Sequence, residues 1–184
     1  MSRVIKNKRP LRIVLTGVEN SGKSSLIKPL AERFNWPYIL ELCRENEDVL
    51  NGKETFDTLL SLQKLNESRV KDLMENTKSL GVFCDTGSIV LDFWSESVFG
   101  KRVSTHDQQI TDTKVDLYLL CETIEKWEAD PIRLIPDYDK RLEMNDRFRR
   151  RLDELNLPYI EVPVKPILER VDLIENEIKN RFNV

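Results

Sequence analysis

Gly17-Val18-Glu19-Asn20-Ser21-Gly22-Lys23-Ser24 is the stretch on which the reading of this chain turns. It fits G-x-x-x-x-G-K-[ST], the pattern of a phosphate-binding loop. Its flanks agree with that reading. Leu11-Arg12-Ile13-Val14-Leu15-Thr16, bounded by Pro10 and Gly17, is a short apolar, β-branched run that reads as a buried strand. Ser25 to Phe34 carries apolar residues at 26, 27, 30, 31 and 34, a helical stripe. In the order strand, glycine loop, helix, backbone N–H groups can turn inward onto phosphates, and the helix N-terminus adds partial positive charge. Gly17, Glu19, Asn20, Ser21, Gly22, Lys23, Ser24 and Ser25 are therefore candidate nucleotide contacts. Lys23 is placed to reach the β- and γ-phosphates, and the Ser24 hydroxyl to bind Mg²⁺. Pro29 removes one hydrogen bond about two turns into the helix and is expected to kink it.

Downstream, Trp36 to Leu42 reads as a second strand, and Cys43-Arg44-Glu45-Asn46-Glu47 follows at its end. Residues 47–54 read as a loop, with Asn51-Gly52 a turn signal. A long helix begins at Thr55, capped by Thr55 or Asp57, and ends by Lys78-Ser79. Leu80 to Gly87 is a third buried strand with Asp85 at its tip, the Walker B position from which a carboxylate holds Mg²⁺ directly or through water. Capping of the next helix is the plainer role for that aspartate. Ser88 to Phe99 is an amphipathic helix ending at Gly100, with Trp94 assigned to the core. Residues 101–114 are polar and ambiguous, and His106 is read as a loop residue. Val115 to Cys121 is the fourth strand. Residues 122–139 look irregular, and a basic helix from Tyr138 to Leu155 carries Arg141, Arg147, Arg149, Arg150 and Arg151. Leu157 to Val162 is the fifth strand, and Ile167 to Phe182 the closing helix.

Five strands alternating with helices predict a three-layer α/β/α fold around a five-stranded parallel sheet. A single domain is expected over residues 11–184 behind a basic tail at 1–10, with a lid at about 122–151. The ligand should lie at the carboxyl ends of the strands, where Glu41, Arg44, Asp85 and Glu122 fall. Charged residues make up 33% and hydrophobic ones 40%, which is a folded rather than a disordered composition. A net charge of −3 argues against general nucleic-acid binding and for a small anionic ligand held locally. No apolar run approaches the ~20 residues of a membrane span, and no signal peptide is recognisable. Cys43, Cys84 and Cys121 match no zinc spacing and are read as reduced, in a cytoplasmic protein. A single histidine gives little support to a histidine metal site or a Ser-His-Asp triad.

Three classes of phosphate-loop protein compete. A GTPase needs a guanine-reading [NT]-K-x-D after a strand, whereas Thr113-Lys114-Val115-Asp116 precedes its strand. A motor or AAA-type ATPase usually carries further domains and a Walker B ending in Asp-Glu. A small-molecule kinase needs this fold, a substrate-holding segment near residues 44–75 and an arginine-bearing lid, where arginines neutralise charge on the transferred phosphoryl group. Most of the arginines at 141–151 are read as a solvated helix face.

The chain resembles the nicotinamide riboside kinase (ribosylnicotinamide kinase) domain at the C-terminal end of bacterial NAD-salvage regulators. The resemblance runs from about residue 11 to residue 182. The phosphate loop keeps Glu19. Arg44-Glu45 matches an Arg-Glu pair after the second strand, and Gln63 a glutamine in the following helix. Val82-Phe83-Cys84-Asp85-Thr86 resembles the Walker B region, and Gly100-Lys101 a Gly-Lys after an aromatic-rich helix. Trp127 to Arg133 resembles the lid, with Arg141 beyond. The departures fall on the substrate side. Gly87 and Ala129 stand where the family carries acids, and Asn46 where it carries an aromatic.

The resemblance implies an ATP- and Mg²⁺-dependent kinase acting on the hydroxymethyl of a small nucleoside-like substrate, nicotinamide riboside first. Lys23 would neutralise phosphates, and Ser24 and Asp85 would hold Mg²⁺. Arg44 and Glu45 would orient substrate with Gln63 and Asp130, and Trp127 would stack the base. Arg133 and Arg141 would be lid cations. Glu41, Glu45 and Asp85 all remain open as the base. No stretch answers to the regulators' adenylyltransferase and DNA-binding domains, so neither activity is expected of this chain. The alternative is an ATPase, or an ATP-binding sensor or partner-binding module, that has lost the kinase substrate site. The sequence says nothing about oligomeric state.

Overall fold

The β-branched and apolar runs identified above line up side by side. A computed structural model describes residues 9–104 and 114–184; His106, Thr113 and most of the basic tail lie outside them. The strands are β1 (Leu11–Thr16), β2 (Tyr38–Ile39), β3 (Gly81–Asp85), β4 (Leu117–Cys121) and β5 (Tyr159–Val162). They form one parallel sheet in the order β2-β3-β1-β4-β5. Strand order reverses at the central β1, and the crevice at the carboxyl end of such a switch point is where open α/β sheets generally hold ligands. The phosphate loop starts there.

Alternation along β1 divides the core. Ile13 and Leu15 face α1 (Lys23–Phe34) and α6 (Ile167–Phe182), packing with Leu26, Ile27, Leu30, Val171, Ile174 and Ile178. Val14 faces the other side, towards α3 (Phe56–Asn76), α4 (Ser88–Phe99) and α5 (Tyr138–Glu154), through Val70, Ile89, Phe93, Phe148 and Leu152. Three layers result, because each face of a parallel sheet needs its own helices. A third cluster joins Leu42, Cys43, Val49, Leu59, Leu62 and Leu91 to Val103 and Ile132, tying the segment after β2 to the lid.

Thr55 caps α3, its hydroxyl accepting from the Thr58 N–H while the Thr58 hydroxyl accepts from the Thr55 N–H. Gly100 closes α4 in a left-handed conformation. α1 runs through Pro29 as one continuous helix. Two expectations need correction. The second strand spans only Tyr38–Ile39, because it is an edge strand paired with β3 alone, and Leu42–Glu45 turns into a 3-10 helix. Within the expected loop at 47–54, Asn46 caps a short α2 (Glu47–Leu50) by accepting from the Val49 N–H. All three cysteines are buried and free. Among the described residues, no helix is long and apolar enough to cross a membrane.

Candidate active site

Conformations that only a few residues tolerate build the phosphate loop. Gly17 has φ 119°, and a Cβ there would sit 2.6 Å from the Cys121 carbonyl oxygen. Gly22 has φ 74° and forms the N-cap of α1, whose first turn has no side-chain cap. The N–H groups of that turn are thus left to an anion. Asn20 also has a positive φ, 56°, a region asparagine visits more readily than most residues. Lys23 is buried, its ammonium donating to Gly17 O (2.9 Å), Val18 O (2.8 Å) and Ser21 Oγ (3.2 Å).

The loop forms one wall of a cavity of about 420 Å³. Glu41 and Arg44 enter from the turn after β2, and Val90, Phe93, Trp94 and Ser97 from α4. Asp130 to Ile135 of the lid and Met144 and Phe148 of α5 complete it; of these lid residues Pro131 alone does not line it. Its lining combines the polar loop with the aromatic side chains Phe93, Trp94 and Phe148. Arg44 links the walls, its Nε 3.2 Å from Glu41 Oε2 and its Nη1 donating to Asp130 Oδ2 at 2.9 Å. Asp130 also accepts from the Ile132 N–H. Burial works against its ionisation, but these bonds win and hold its carboxyl below the usual range.

Asp85 lies at the tip of β3, buried, beside the phosphate loop. Ser24 hydrogen-bonds its carboxylate, and Oδ1 is buried with no partner among the described residues. Desolvation pushes its carboxyl up, against the pull of Ser24, Lys23 and Arg44. Glu41 is raised as well, by desolvation first and by the Asp85 charge second. Its Oε1 lies 3.3 Å from the Thr86 hydroxyl. Thr86 has φ 78°, where a β-branched side chain is strained, so the backbone turns sharply beside the two carboxylates.

The lid is fastened to the variable positions of the loop. The Ile135 N–H donates to Glu19 Oε1. The Asn20 amide donates to Ile124 O (2.8 Å) and Lys126 O (2.9 Å), and its Oδ1 accepts from Arg133 at 3.0 Å. Arg133 thereby reaches the cavity. Arg141 departs from its expected role as a lid cation. It is fully buried, and its donors meet Thr123 Oγ1, Ile135 O, Pro136 O, Ile124 O and Glu125 O. These are all five guanidinium N–H groups, so Arg141 holds the lid's backbone in shape.

A family model described as an AAA domain matches residues 12–170. The chain belongs to this family. Kinship with it therefore does not require the further domains or the Walker B Asp-Glu that AAA-type ATPases usually carry. The trifunctional NAD biosynthesis/regulator protein NadR of Escherichia coli (strain K12) is 24% identical over 153 residues, 82% of this chain and 37% of that protein. Solved structures of NadR protein, one in complex with NR and one with NAD and AMP-PNP, align at TM-score 0.71 with 18% and 19% identity. They cover 95% of this chain and 50% of theirs. A deoxyadenosine kinase from M. mycoides with bound dATP aligns at TM-score 0.66, with 12% identity, over 92% of this chain and 100% of its own. The chain thus spans 37% of the curated relative and half of each solved NadR chain. At these identities the structural likeness shows the fold, a phosphate-loop α/β/α domain shared with nucleoside kinases.

Of the expected substrate-side residues, the structure brings Arg44 and Asp130 into the cavity and leaves three outside it. Glu45 is exposed and pairs with Arg69 of α3. Gln63 is buried in α3, away from the cavity walls. Trp127 lies with its ring 5.0 Å from the Arg141 guanidinium. The aromatic faces of the cavity come from Phe93, Phe148 and Trp94, the last of which the sequence assigned to the core. Helical spacing alone could have put Val90, Phe93, Trp94 and Ser97 on one face of α4.

Proposed function

We propose that this chain is an ATP-dependent kinase that transfers the γ-phosphoryl group to the hydroxyl of a small nucleoside-like acceptor, with nicotinamide riboside the first candidate. The observation that carries the reading is one cavity lined together by the phosphate loop, by Glu41 and Arg44, and by the aromatic side chains Phe93, Trp94 and Phe148. The triphosphate lies along residues 17–25, with Lys23 exchanging loop carbonyls for phosphate oxygens. Residues fit for Mg²⁺ are present in Ser24 and in Asp85, whose Oδ1 is buried without a partner. No set of three His, Cys, Asp or Glu side chains among the described residues could hold a metal alone. That suits an ion held by few side chains together with phosphates and water. The ion, when bound, neutralises charge on the phosphates.

The acceptor's ring lies against Trp94 and Phe93, which directs its hydroxyl back towards the loop. Of the three carboxylates left open by the sequence, Glu41 is the base. It lines the cavity, whereas Glu45 does not and Asp85 is committed to Ser24. A raised affinity for protons suits it to draw the hydroxyl proton as the bond to phosphorus forms. Arg133 and Arg44 set positive charge beside the transferred group. Positioning and charge carry most of such a reaction.

The test is ADP release from Mg·ATP, with nicotinamide riboside and then with a panel of ribo- and deoxyribonucleosides. Stimulation by nicotinamide riboside supports both mechanism and acceptor. Stimulation by another nucleoside alone keeps the mechanism and moves the acceptor. ATP binding with no stimulation by any acceptor overturns the kinase reading and favours a nucleotide-binding module, as the absence of acids at Gly87 and Ala129 would suggest.

A further inference from the structure

Behind the phosphate loop lies a cation that the proposed reaction does not use. The buried stripe of α6 runs through Val171, Ile174 and Ile178, and Arg170 lies on the same face, 3% exposed. Three features make this an expensive place for an arginine. It is withdrawn from water, which disfavours an unpaired ion. Among the described residues no carboxylate pairs with it, its Nε and Nη2 have no oxygen or nitrogen partner, and the other group beside it is the buried, uncharged Cys121 thiol. It is also in the first turn of α6, where the helix dipole disfavours positive charge.

What Arg170 does touch is the loop. Its Nη1 donates to the Ser21 carbonyl at 3.1 Å. A Cβ on Gly22 would come within 2.9 Å of the same nitrogen. The Ser21 hydroxyl meanwhile lies 3.2 Å from the Lys23 ammonium, so Ser21 is held between two cations. No peptide bond here is cis. In a trans peptide the carbonyl and the following N–H point in opposite directions. A Ser21 carbonyl drawn outward to Arg170 therefore turns the Gly22 N–H inward, towards the concave side of the loop.

We propose that Arg170 is a positioning residue of the phosphate site: it fixes the Ser21–Gly22 peptide so that the Gly22 N–H faces the phosphates, and its uncompensated charge is balanced by the bound anion. This rests on the reading of residues 17–25 as a nucleotide site. Arg170 touches neither nucleotide nor acceptor and works through the loop. The protein therefore holds a buried charge that disfavours the nucleotide-free fold and favours phosphate binding.

The experiment compares the full chain with Arg170→Met, Arg170→Gln and Arg170→Lys. It measures affinity for Mg·ATP and for tripolyphosphate by calorimetry, and urea midpoints without ligand. Arg170→Met is expected to weaken both ligands at least tenfold while its ligand-free midpoint stays level or rises, since an apolar replacement of an unpaired buried ion is neutral or stabilising. Arg170→Gln, which keeps a donor for the Ser21 carbonyl without the charge, should fall between methionine and wild type, and Arg170→Lys should recover part of the loss. In turnover, the change should appear in KM for ATP and not in KM for the acceptor. ATP affinity within twofold of wild type in Arg170→Met overturns the inference alone. So does a methionine variant that unfolds while Arg170→Lys folds and binds as wild type, which would mark a packing peg. Failure of the wild-type chain to bind ATP overturns the nucleotide reading, and this inference with it.

Discussion

Arg141 and Arg133 are eight residues apart in the lid region and indistinguishable by type, yet their surroundings predict opposite phenotypes. Arg141→Ala removes a buried guanidinium whose five donors hold a hydroxyl and four main-chain carbonyls between residues 123 and 136. Bonds from a charged donor contribute about 1.5–3 kcal/mol each before the cost of burying the ion is counted. That burial cost is itself several kcal/mol, and breaking such a buried charged arrangement has a net effect of roughly 3–5 kcal/mol. Loss of the ring contacts with Trp127 and Tyr138, at 5.0 and 5.6 Å, adds about 0.5–1 kcal/mol. For a domain of this size each kcal/mol lowers Tm by about 2–4 °C, so a fall of order 10 °C is expected. Lysine should not rescue, because a point-like ammonium cannot span five acceptors in a planar fork.

Urea unfolding and limited proteolysis across residues 122–137 measure the effect directly. Arg141→Ala should lower the unfolding midpoint and expose that segment to cleavage. Arg133→Ala should leave the midpoint nearly unchanged, since only its Nη1 is hydrogen-bonded among the described residues, and should lower kcat for phosphoryl transfer. An Arg141→Ala protein with wild-type midpoint and cleavage but a hundredfold loss of kcat would refute the reasoning, and would return Arg141 to the chemistry.

Glu41 predicts a pH dependence. Burial and the neighbouring Asp85 raise its carboxyl, so the folded state keeps the proton to higher pH than the unfolded state does, and stability falls as pH rises through that window. Glu41→Gln should match wild type in Tm near pH 4 and exceed it increasingly towards neutrality, while phosphoryl transfer falls about a hundredfold or more; a difference in Tm that does not vary with pH would count against the assignment. Trp94→Ala should raise the acceptor KM by about 5- to 160-fold, the equivalent of the ~1–3 kcal/mol of base stacking on an aromatic ring. KM for ATP should stay within twofold, and Trp127→Ala should leave both unchanged; the reverse pattern would give the stacking role back to Trp127.

Features encoded within a few residues were legible in the sequence. The phosphate loop, the Thr55 cap, the Gly100 stop and the alternation of strands with helices are all set by near neighbours, and the three layers follow from them. Roles that depend on distant partners were not. Asn20 meets Arg133 across 113 residues, and Arg44 meets Asp130 across 86. Nothing local says that Trp94 faces a cavity while Trp127 covers a buried arginine. The second strand is shorter than its apolar run for a related reason. Leu40-Glu41-Leu42 continues an apolar run, but at a sheet edge only Tyr38 and Ile39 find partners, and the chain turns Glu41 inward.

The two missing acids differ in what stands in their place, and that bears on whether an acceptor contact is dormant or gone. Ala129 is exposed on the lid, so Ala129→Asp should fold normally, with stability changed by no more than about 0.5 kcal/mol. Gly87 is buried at the N-cap of α4, and a Cβ there would lie 3.0 Å from Val14 Cγ1. Its φ of −151° is ordinary extended backbone, so the obstacle is packing and not conformation. Gly87→Asp must push aside a core valine of the central strand, which should lower stability by about 1–3 kcal/mol. Val14→Ala should be partly compensating in the double variant, because it opens the space that the carboxylate needs. If Gly87→Asp folds as stably as wild type and also raises turnover with nicotinamide riboside, the core has kept room for the acid, and this packing argument fails. If it is destabilised and Val14→Ala relieves it, the core beside β1 has closed over the position. The acceptor must then be held by Glu41, Arg44, Asp130 and the aromatic wall of α4.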